Sequence, residues 1–153
     1  MSRPVLTVCA PVPGRARALA DVPDPVFAAA LVGPGVAIDP ERAPLIARAP
    51  VSGRLATLHP HAFVVIADDQ RGVLVHLGID TVQLAGAGFE LLAAQGDRVV
   101  AGGPIIGWDV ARIEAGGRSP VCPVVALDAA PEAVSRLAAD GVVSAGTELF
   151  GWR

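Results

Sequence analysis

The chain has 153 residues, a net charge of −3 and 52% hydrophobic residues, which suits one soluble domain with a substantial core. All 12 basic residues are arginine, so chemistry that needs a lysine amine is excluded, and no basic cluster indicates a nucleic-acid partner. No apolar run is long enough for a signal peptide or a membrane span, so we expect a cytoplasmic protein without membrane insertion.

The predicted elements are mostly short strands, because β-branched runs alternate with 17 Gly and 14 Pro. The runs are Val64–Ile66, Val73–Val75, Val99–Val100 and Val124–Val125. Short helices are predicted at Phe89–Ala94, Val110–Ala115 and Ala130–Ala139, the last because Pro131 lies near its start and Gly141 follows its end. This pattern predicts an all-β fold, an antiparallel β-sandwich or flattened barrel, as a single domain over residues 1–153.

Two internal repeats indicate a duplicated motif within this fold. The segment Ala10–Arg15 recurs as Ala49–Arg54, and the pattern within Val99–Trp108 recurs within Val143–Trp152. The two repeats have different spacings, which excludes a simple solenoid. We therefore expect related strand–turn units interleaved in one sandwich.

Two of the three histidines lie on a predicted hairpin. Its two strands flank the polar turn Asp68–Gly72. With the turn centred near Gln70, His61 lies opposite a residue close to Gly78. His76 is then its diagonal neighbour on the same face, with Cβ atoms about 7–8 Å apart. Two imidazoles at that spacing suit one tetrahedral anion or one metal ion.

Four segments of the chain, in order, resemble one family. The most specific runs from Val75-His76-Leu77-Gly78-Ile79-Asp80 to Leu84 and continues at Gly86–Phe89; the others are His61–Phe63, Asp21–Ala28 and Gly35–Pro40. With these segments the chain, from about Val5 to Arg153, resembles the glucose-type enzyme IIA components of the bacterial phosphoenolpyruvate-dependent sugar phosphotransferase system.

The resemblance implies a phosphocarrier that needs no cofactor and no metal. In this reading His76 accepts the phosphoryl group from the carrier protein HPr through Nε2, while its other nitrogen donates to a backbone carbonyl near Gly78. His61 donates a hydrogen bond to the phosphoryl oxygens, where charge develops. The group then passes to a cysteine of an enzyme IIB domain of a sugar permease. Regulatory targets are further candidate partners.

Seven residues are predicted to frame the histidines and to contact partner proteins: Asp24, Val26, Phe27, Phe63, Leu77, Gly78 and Asp80. The apolar side chains keep water from a labile phosphohistidine, and the carboxylates meet basic residues of the phosphate donor. His59 stands where the family usually has a threonine, two positions before the auxiliary histidine. We expect it to be a solvent-exposed loop residue.

The main alternative from another class is a zinc-dependent hydrolase. His59, His61, His76 and Asp80 are four metal-capable side chains on one hairpin. Their order, HxH before HxxxD, is the reverse of that in lysostaphin-type metallopeptidases, and no histidine is left to act as a base. A biotinyl or lipoyl carrier is excluded because it needs a lysine to modify.

Overall fold

The structure is a computed structural model, and it describes residues 4–153. Within that range the chain forms fourteen short strands and two short α-helices, α1 (Pro25–Ala28) and α2 (Val110–Ala115). The strands are β1 Leu6–Cys9, β2 Gly14–Ala18, β3 Gly35–Pro40, β4 Pro44–Arg48, β5 Gly53–His59, β6 Ala62–Ile66, β7 Gly72–His76, β8 Phe89–Leu91, β9 Arg98–Val99, β10 Pro104–Asp109, β11 Cys122–Ala126, β12 Val134–Arg136, β13 Gly141–Val143 and β14 Glu148–Trp152. Neither helix has the length and apolar character needed to cross a membrane.

The strands form three antiparallel sheets around one main core. Eight strands lie in the order β13-β2-β3-β11-β7-β6-β5-β9, and two smaller sheets have the orders β1-β14-β12 and β4-β10-β8. Leu55 and Phe63 from the large sheet meet Ile106 and Phe150 from the two small ones, and all four are fully buried. The predicted all-β sandwich is therefore confirmed.

The strand order of the large sheet is symmetric about its central β11–β7 pair, which agrees with the duplication that the sequence repeats predict. Strands β2 and β5 occupy equivalent places, with β13 and β9 as their respective outer neighbours. The segments before β2 and β5 exchange equivalent hydrogen bonds, from Cys9 N to Pro50 O (3.0 Å) and from Arg48 N to Pro11 O (2.9 Å). The fold is thus built from two interleaved copies of one motif.

Each copy of the first repeat needs a glycine where the backbone of another strand comes close. A Cβ atom on Gly14 would lie 2.1 Å from Asp39 O, and one on Gly53 would lie 2.1 Å from Ile66 O. No van der Waals contact is that short, so each position excludes a side chain. The repeat is therefore structural, since both copies make the same close approach to a neighbouring strand.

Two of the three predicted helices are wrong. Phe89–Leu91 forms β8 on β10, and Val134–Arg136 forms β12 on β14, after a single 3₁₀ turn at Pro131–Ala133. Both segments are edge strands, and pairing with a central strand satisfies backbone groups that a short isolated helix would leave open. The third prediction, Val110–Ala115, is confirmed as α2, capped by the Asp109 side chain.

Candidate functional site

The predicted hairpin is confirmed, with a register that differs slightly from the expected one. Strands β6 and β7 pair from Ala62–His76 to Ile66–Gly72, which centres the turn on Asp69 instead of Gln70 and places Leu77, a residue close to Gly78, opposite His61. His76 is therefore opposite Ala62 and is not the diagonal neighbour of His61 that the expected register gives. Leu77 N donates to His61 O at 2.7 Å. His61 belongs to the turn between β5 and β6, where strand alternation no longer applies. Its ring therefore reaches His76, with centroids 5.2 Å apart and planes inclined by 69°.

The His76 ring is held in one orientation by the backbone that follows it. Its Nδ1 lies 2.5 Å from Gly78 O. A carbonyl oxygen can only accept a hydrogen bond, so Nδ1 carries the proton and Nε2 presents a lone pair. No residue of the described range 4–153 forms a hydrogen bond with that Nε2. His76 thus combines a fixed ring with a free nucleophilic nitrogen.

The Gly78 peptide is in turn fixed on both sides. Thr81 Oγ1 donates to Leu77 O at 2.8 Å, and Ile79 N donates to Ser119 O at 2.9 Å. Gly78 has φ +82°, and a Cβ atom there would lie 2.6 Å from Thr81 Cγ2. The carbonyl that orients His76 therefore has little freedom to move.

Sequence reasoning missed the supporting roles of Thr81 and Ser119. Thr81 had a usable signal, because a hydroxyl four residues after Leu77 is well placed to bond that carbonyl. Ser119 gave none, since it belongs to the segment that leads into β11. Only the pairing of β11 with β7 brings this segment beside the hairpin.

The opposite side of the His76 ring packs on Phe27, with centroids 5.2 Å apart and planes inclined by 57°. Phe27 lies in α1, where Asp24 Oδ1 accepts hydrogen bonds from Val26 N (2.9 Å) and Phe27 N (3.4 Å). Asp24 therefore acts as an N-cap that holds the phenyl ring against the imidazole.

Burial and neighbouring charges act in opposite directions on the pKa of His76. Burial lowers the pKa below 6.5, while the Gly78 hydrogen bond and the charges of Asp24 and Asp80 raise it, with a net lowering. The pKa of His61 is lowered by burial and by the positive charges of His76 and His59. Both rings are thus kept in the neutral form near pH 7.

The seven predicted partner contacts fall into two groups. Val26 is 45% exposed and Asp80 is exposed, so both are accessible beside the histidines, and Asp24 is half-buried. Phe63 and Leu77, in contrast, have no exposed surface and belong to the main core. Their predicted contact with a partner is corrected, because alternation along the hairpin turns them inward. Phe27 and Gly78 are also buried and act by positioning His76.

His59 is exposed, as expected, but it is the last residue of strand β5 rather than a loop residue, and its ring has a neighbour. Its ring stacks on His61, with centroids 5.7 Å apart and an interplanar angle of 20°. Within residues 4–153 no three His, Cys, Asp or Glu side chains converge in a way that could hold a metal ion. The zinc-hydrolase alternative, with His59, His61, His76 and Asp80 as ligands, therefore has no support in the geometry.

Comparison with known proteins assigns this arrangement to a family. The profile described as phosphoenolpyruvate-dependent sugar phosphotransferase system, EIIA 1, matches residues 6–131, which is most of the chain. The chain belongs to this EIIA family. It is therefore a component of a sugar phosphotransferase system, with a phosphocarrier role.

Individual relatives agree with this assignment. The EIIA chain is 36% identical over 122 residues to a glucose-specific EIIA component of Staphylococcus aureus, covering 78% of this chain and 72% of that protein. It is 38% identical to the glucose-specific EIIA component of Oceanobacillus iheyensis, covering 78% and 73%. It also matches 19% of a β-glucoside-specific EIIBCA component of Bacillus subtilis, at 36% identity over 75% of this chain.

A solved structure supports the same fold. The EIIA chain superposes on the glucose permease IIA of Mycoplasma capricolum with a TM-score of 0.88 and 31% sequence identity. The superposition covers 97% of this chain and 96% of that one. The whole described domain, including both copies of the repeat, therefore has the architecture of that IIA protein.

Proposed function

We propose that this EIIA component carries a phosphoryl group on Nε2 of His76, which it accepts from phosphorylated HPr and passes to the cysteine of an enzyme IIB domain. The observation that carries the proposal is the pair of imidazoles with centroids 5.2 Å apart, one of which has its Nδ1 fixed on Gly78 O. It would work in the cytoplasm, beside a sugar permease.

The geometry suits each step of this relay. The Nε2 lone pair attacks the phosphorus, the new N–P bond forms as the donor's N–P bond breaks, and the donor imidazole leaves with its electron pair. A ring N–H of His61 then donates to the phosphoryl oxygens, which carry the developing charge. In the second step a thiolate attacks the phosphorus and His76 leaves as a neutral imidazole. The transfer depends on positioning and electrostatics rather than on further covalent chemistry.

The surroundings of His76 suit two successive protein partners. The exposed Val26 side chain offers apolar contact at the rim, and the exposed Asp80 offers negative charge. Basic residues of a phosphate donor would complement that charge, which favours fast encounter and correct orientation. The buried Phe27 ring limits the access of water to the phosphorylated imidazole.

Incubation with phosphoenolpyruvate, enzyme I and HPr tests the proposal. We expect mass analysis to show one acid-labile phosphoryl adduct on the peptide that contains His76, and His76→Ala to abolish it. His61→Gln is the matched control, because it removes the neighbouring ring and leaves the nucleophile; it should still become labelled. An adduct on another residue, or a label that survives in His76→Ala, would contradict the assignment.

A further inference from the structure

The His61 ring has no hydrogen bond to fix its orientation. In the described part of the chain, neither of its ring nitrogens pairs with another residue, whereas His76 is held by Gly78 O. A histidine that must direct an N–H at a transferred group normally has its other nitrogen held by an acceptor. The ring contacts of His61 are with two other imidazoles, edge-on with His76 and stacked with His59.

The stacking partner is itself well anchored. His59 is the last residue of β5 and pairs with Ala62 across the turn. The preceding Leu58 N donates to Gln95 Oε1 at 3.0 Å, which ties this end of β5 to another loop. Pro60 is close to Gly86, because a Cβ atom there would lie 3.6 Å from Pro60 Cγ. The backbone on both sides of the His59 ring is therefore fixed.

We propose that His59 is a positioning residue, which holds the His61 imidazole edge-on toward His76 by ring stacking instead of by a hydrogen bond. This inference rests on the proposed phosphoryl relay. The near-parallel stack, with an interplanar angle of 20° and centroids 5.7 Å apart, opposes rotation of His61 about its Cβ–Cγ bond. The ring edge then stays inclined by 69° to the His76 plane, where an N–H can reach a phosphoryl group on Nε2.

Three variants separate stacking from other roles of His59. His59→Phe keeps a flat ring but has no nitrogen, whereas His59→Ala removes the ring. Because ring stacking is worth about 0.5–1.5 kcal/mol, we expect His59→Ala to slow phosphoryl transfer to enzyme IIB by about two- to tenfold. His59→Phe should remain within about twofold of the parent. In a His61→Gln background, His59→Ala should cause no further loss, because the residue acts through His61.

Ring-proton NMR of His61 gives a readout that does not depend on activity. We expect the ring-current shift of the His61 protons to be lost in His59→Ala and kept in His59→Phe. The inference is overturned if His59→Phe is as slow as His59→Ala, if His59→Ala matches the parent, or if its effect persists in His61→Gln. If the parent never acquires a phosphoryl group on His76, the proposed function fails, while the NMR comparison still decides whether the stack exists.

Discussion

At the scale of single residues, the decisive feature is a neutral imidazole whose two nitrogens have different tasks. His76 Nδ1 is committed to Gly78 O, so Nε2 alone is available for bond formation. Burial favours the neutral ring, while Asp24 and Asp80 oppose this effect and limit how far the pKa falls. The ring is thus a nucleophile at neutral pH and can still be stabilised by nearby carboxylates when charge develops on it.

The auxiliary histidine should matter more for the second transfer than for the first. We expect His61→Gln to slow transfer to enzyme IIB by about tenfold or more, because it weakens a donor to the phosphoryl oxygens. Acceptance from HPr should change less, since the nucleophile remains. Rapid-quench measurement of both half-reactions checks this, and an unchanged onward rate would falsify the role given to His61.

Stability should decline in mildly acidic solution because of these two rings. The pKa values of His61 and His76 are lowered in the folded protein, so the unfolded chain binds their protons more readily. The contribution of the two neutral rings to the free energy of unfolding is complete at pH values above the ordinary histidine pKa of 6.5. It is lost as the pH falls through the folded-state pKa values. Urea unfolding at about pH 7.5 and about pH 5.5 measures this loss.

The matched control for that experiment is the double variant His61→Gln, His76→Gln. It keeps the carboxylates, whose titration also affects stability in acid, and removes only the two imidazoles. We expect a smaller difference in the free energy of unfolding between the two pH values than in the parent. Equal differences would show that the histidines do not cause the effect.

At the scale of elements, the site depends on the turn from β7 into the 3₁₀ segment Thr81–Leu84. The chain bends at Gly78, so that the Gly78 carbonyl faces the imidazole of His76, two residues earlier. The Thr81 hydroxyl and the segment before β11 hold it from two sides. The ring orientation is thus a property of the turn rather than of His76 itself.

Substitution of Gly78 by alanine should disrupt the hydrogen bond between the Gly78 carbonyl and the His76 ring. We expect a loss of about 1–3 kcal/mol in the free energy of unfolding and a marked decrease in phosphoryl acceptance, because φ is +82° and a Cβ atom meets Thr81 Cγ2 at 2.6 Å. Chemical unfolding and phosphorylation assays measure both effects.

Gly96→Ala is the appropriate control for that variant. Gly96 has φ +96°, and a Cβ atom there would meet no other atom within 4 Å, so it bears the same conformational cost without the clash. Its phosphoryl acceptance should equal that of the parent. If Gly78→Ala retained full acceptance, the carbonyl would not be needed to orient His76.

The elements that sequence reasoning found are those with strong local signals. The hairpin follows from β-branched runs around a polar turn. The helix α2 was predicted at its observed bounds, but its Asp109 cap is seen only in the structure. Val134–Arg136 could not be recognised as a strand, because its pairing with β14 is a tertiary contact that overrides local helix signals. The same holds for Ser119, whose hydrogen bond with Ile79 N depends on how β11 pairs with β7.

At the scale of the whole molecule, the fold consists of two interleaved copies of one motif around one main core. Equivalent glycines, Gly14 and Gly53, allow equivalent close approaches between neighbouring strands on opposite sides of the large sheet. The repeats in the sequence could predict this duplication, although they could not predict which strands pair. Palindromic strand order emerged only from the structure.

Alanine at either repeated glycine should therefore have a similar effect. We expect Gly14→Ala and Gly53→Ala each to lower the free energy of unfolding by more than about 2 kcal/mol, because a Cβ atom would lie 2.1 Å from a backbone oxygen in both cases. Gly141→Ala is the control, since Gly141 has φ +147° and open space around it. Urea titration of the three variants tests the equivalence; a large loss at only one of the two repeated positions would contradict it.

The two copies of the motif differ at the C-terminal ends of the two central strands, β7 and β11. Strand β7 finishes with His76, whereas β11 finishes with Ala126, and the Gly33 backbone approaches Ala126 O so closely that a Cβ atom would lie 1.9 Å away. The end of β11 is covered by main chain, whereas the end of β7 carries the imidazole of His76. Under the proposed relay, donor and recipient must then take turns at a single docking place, in a ping-pong exchange. An excess of unphosphorylated HPr should consequently act as a competitor of enzyme IIB.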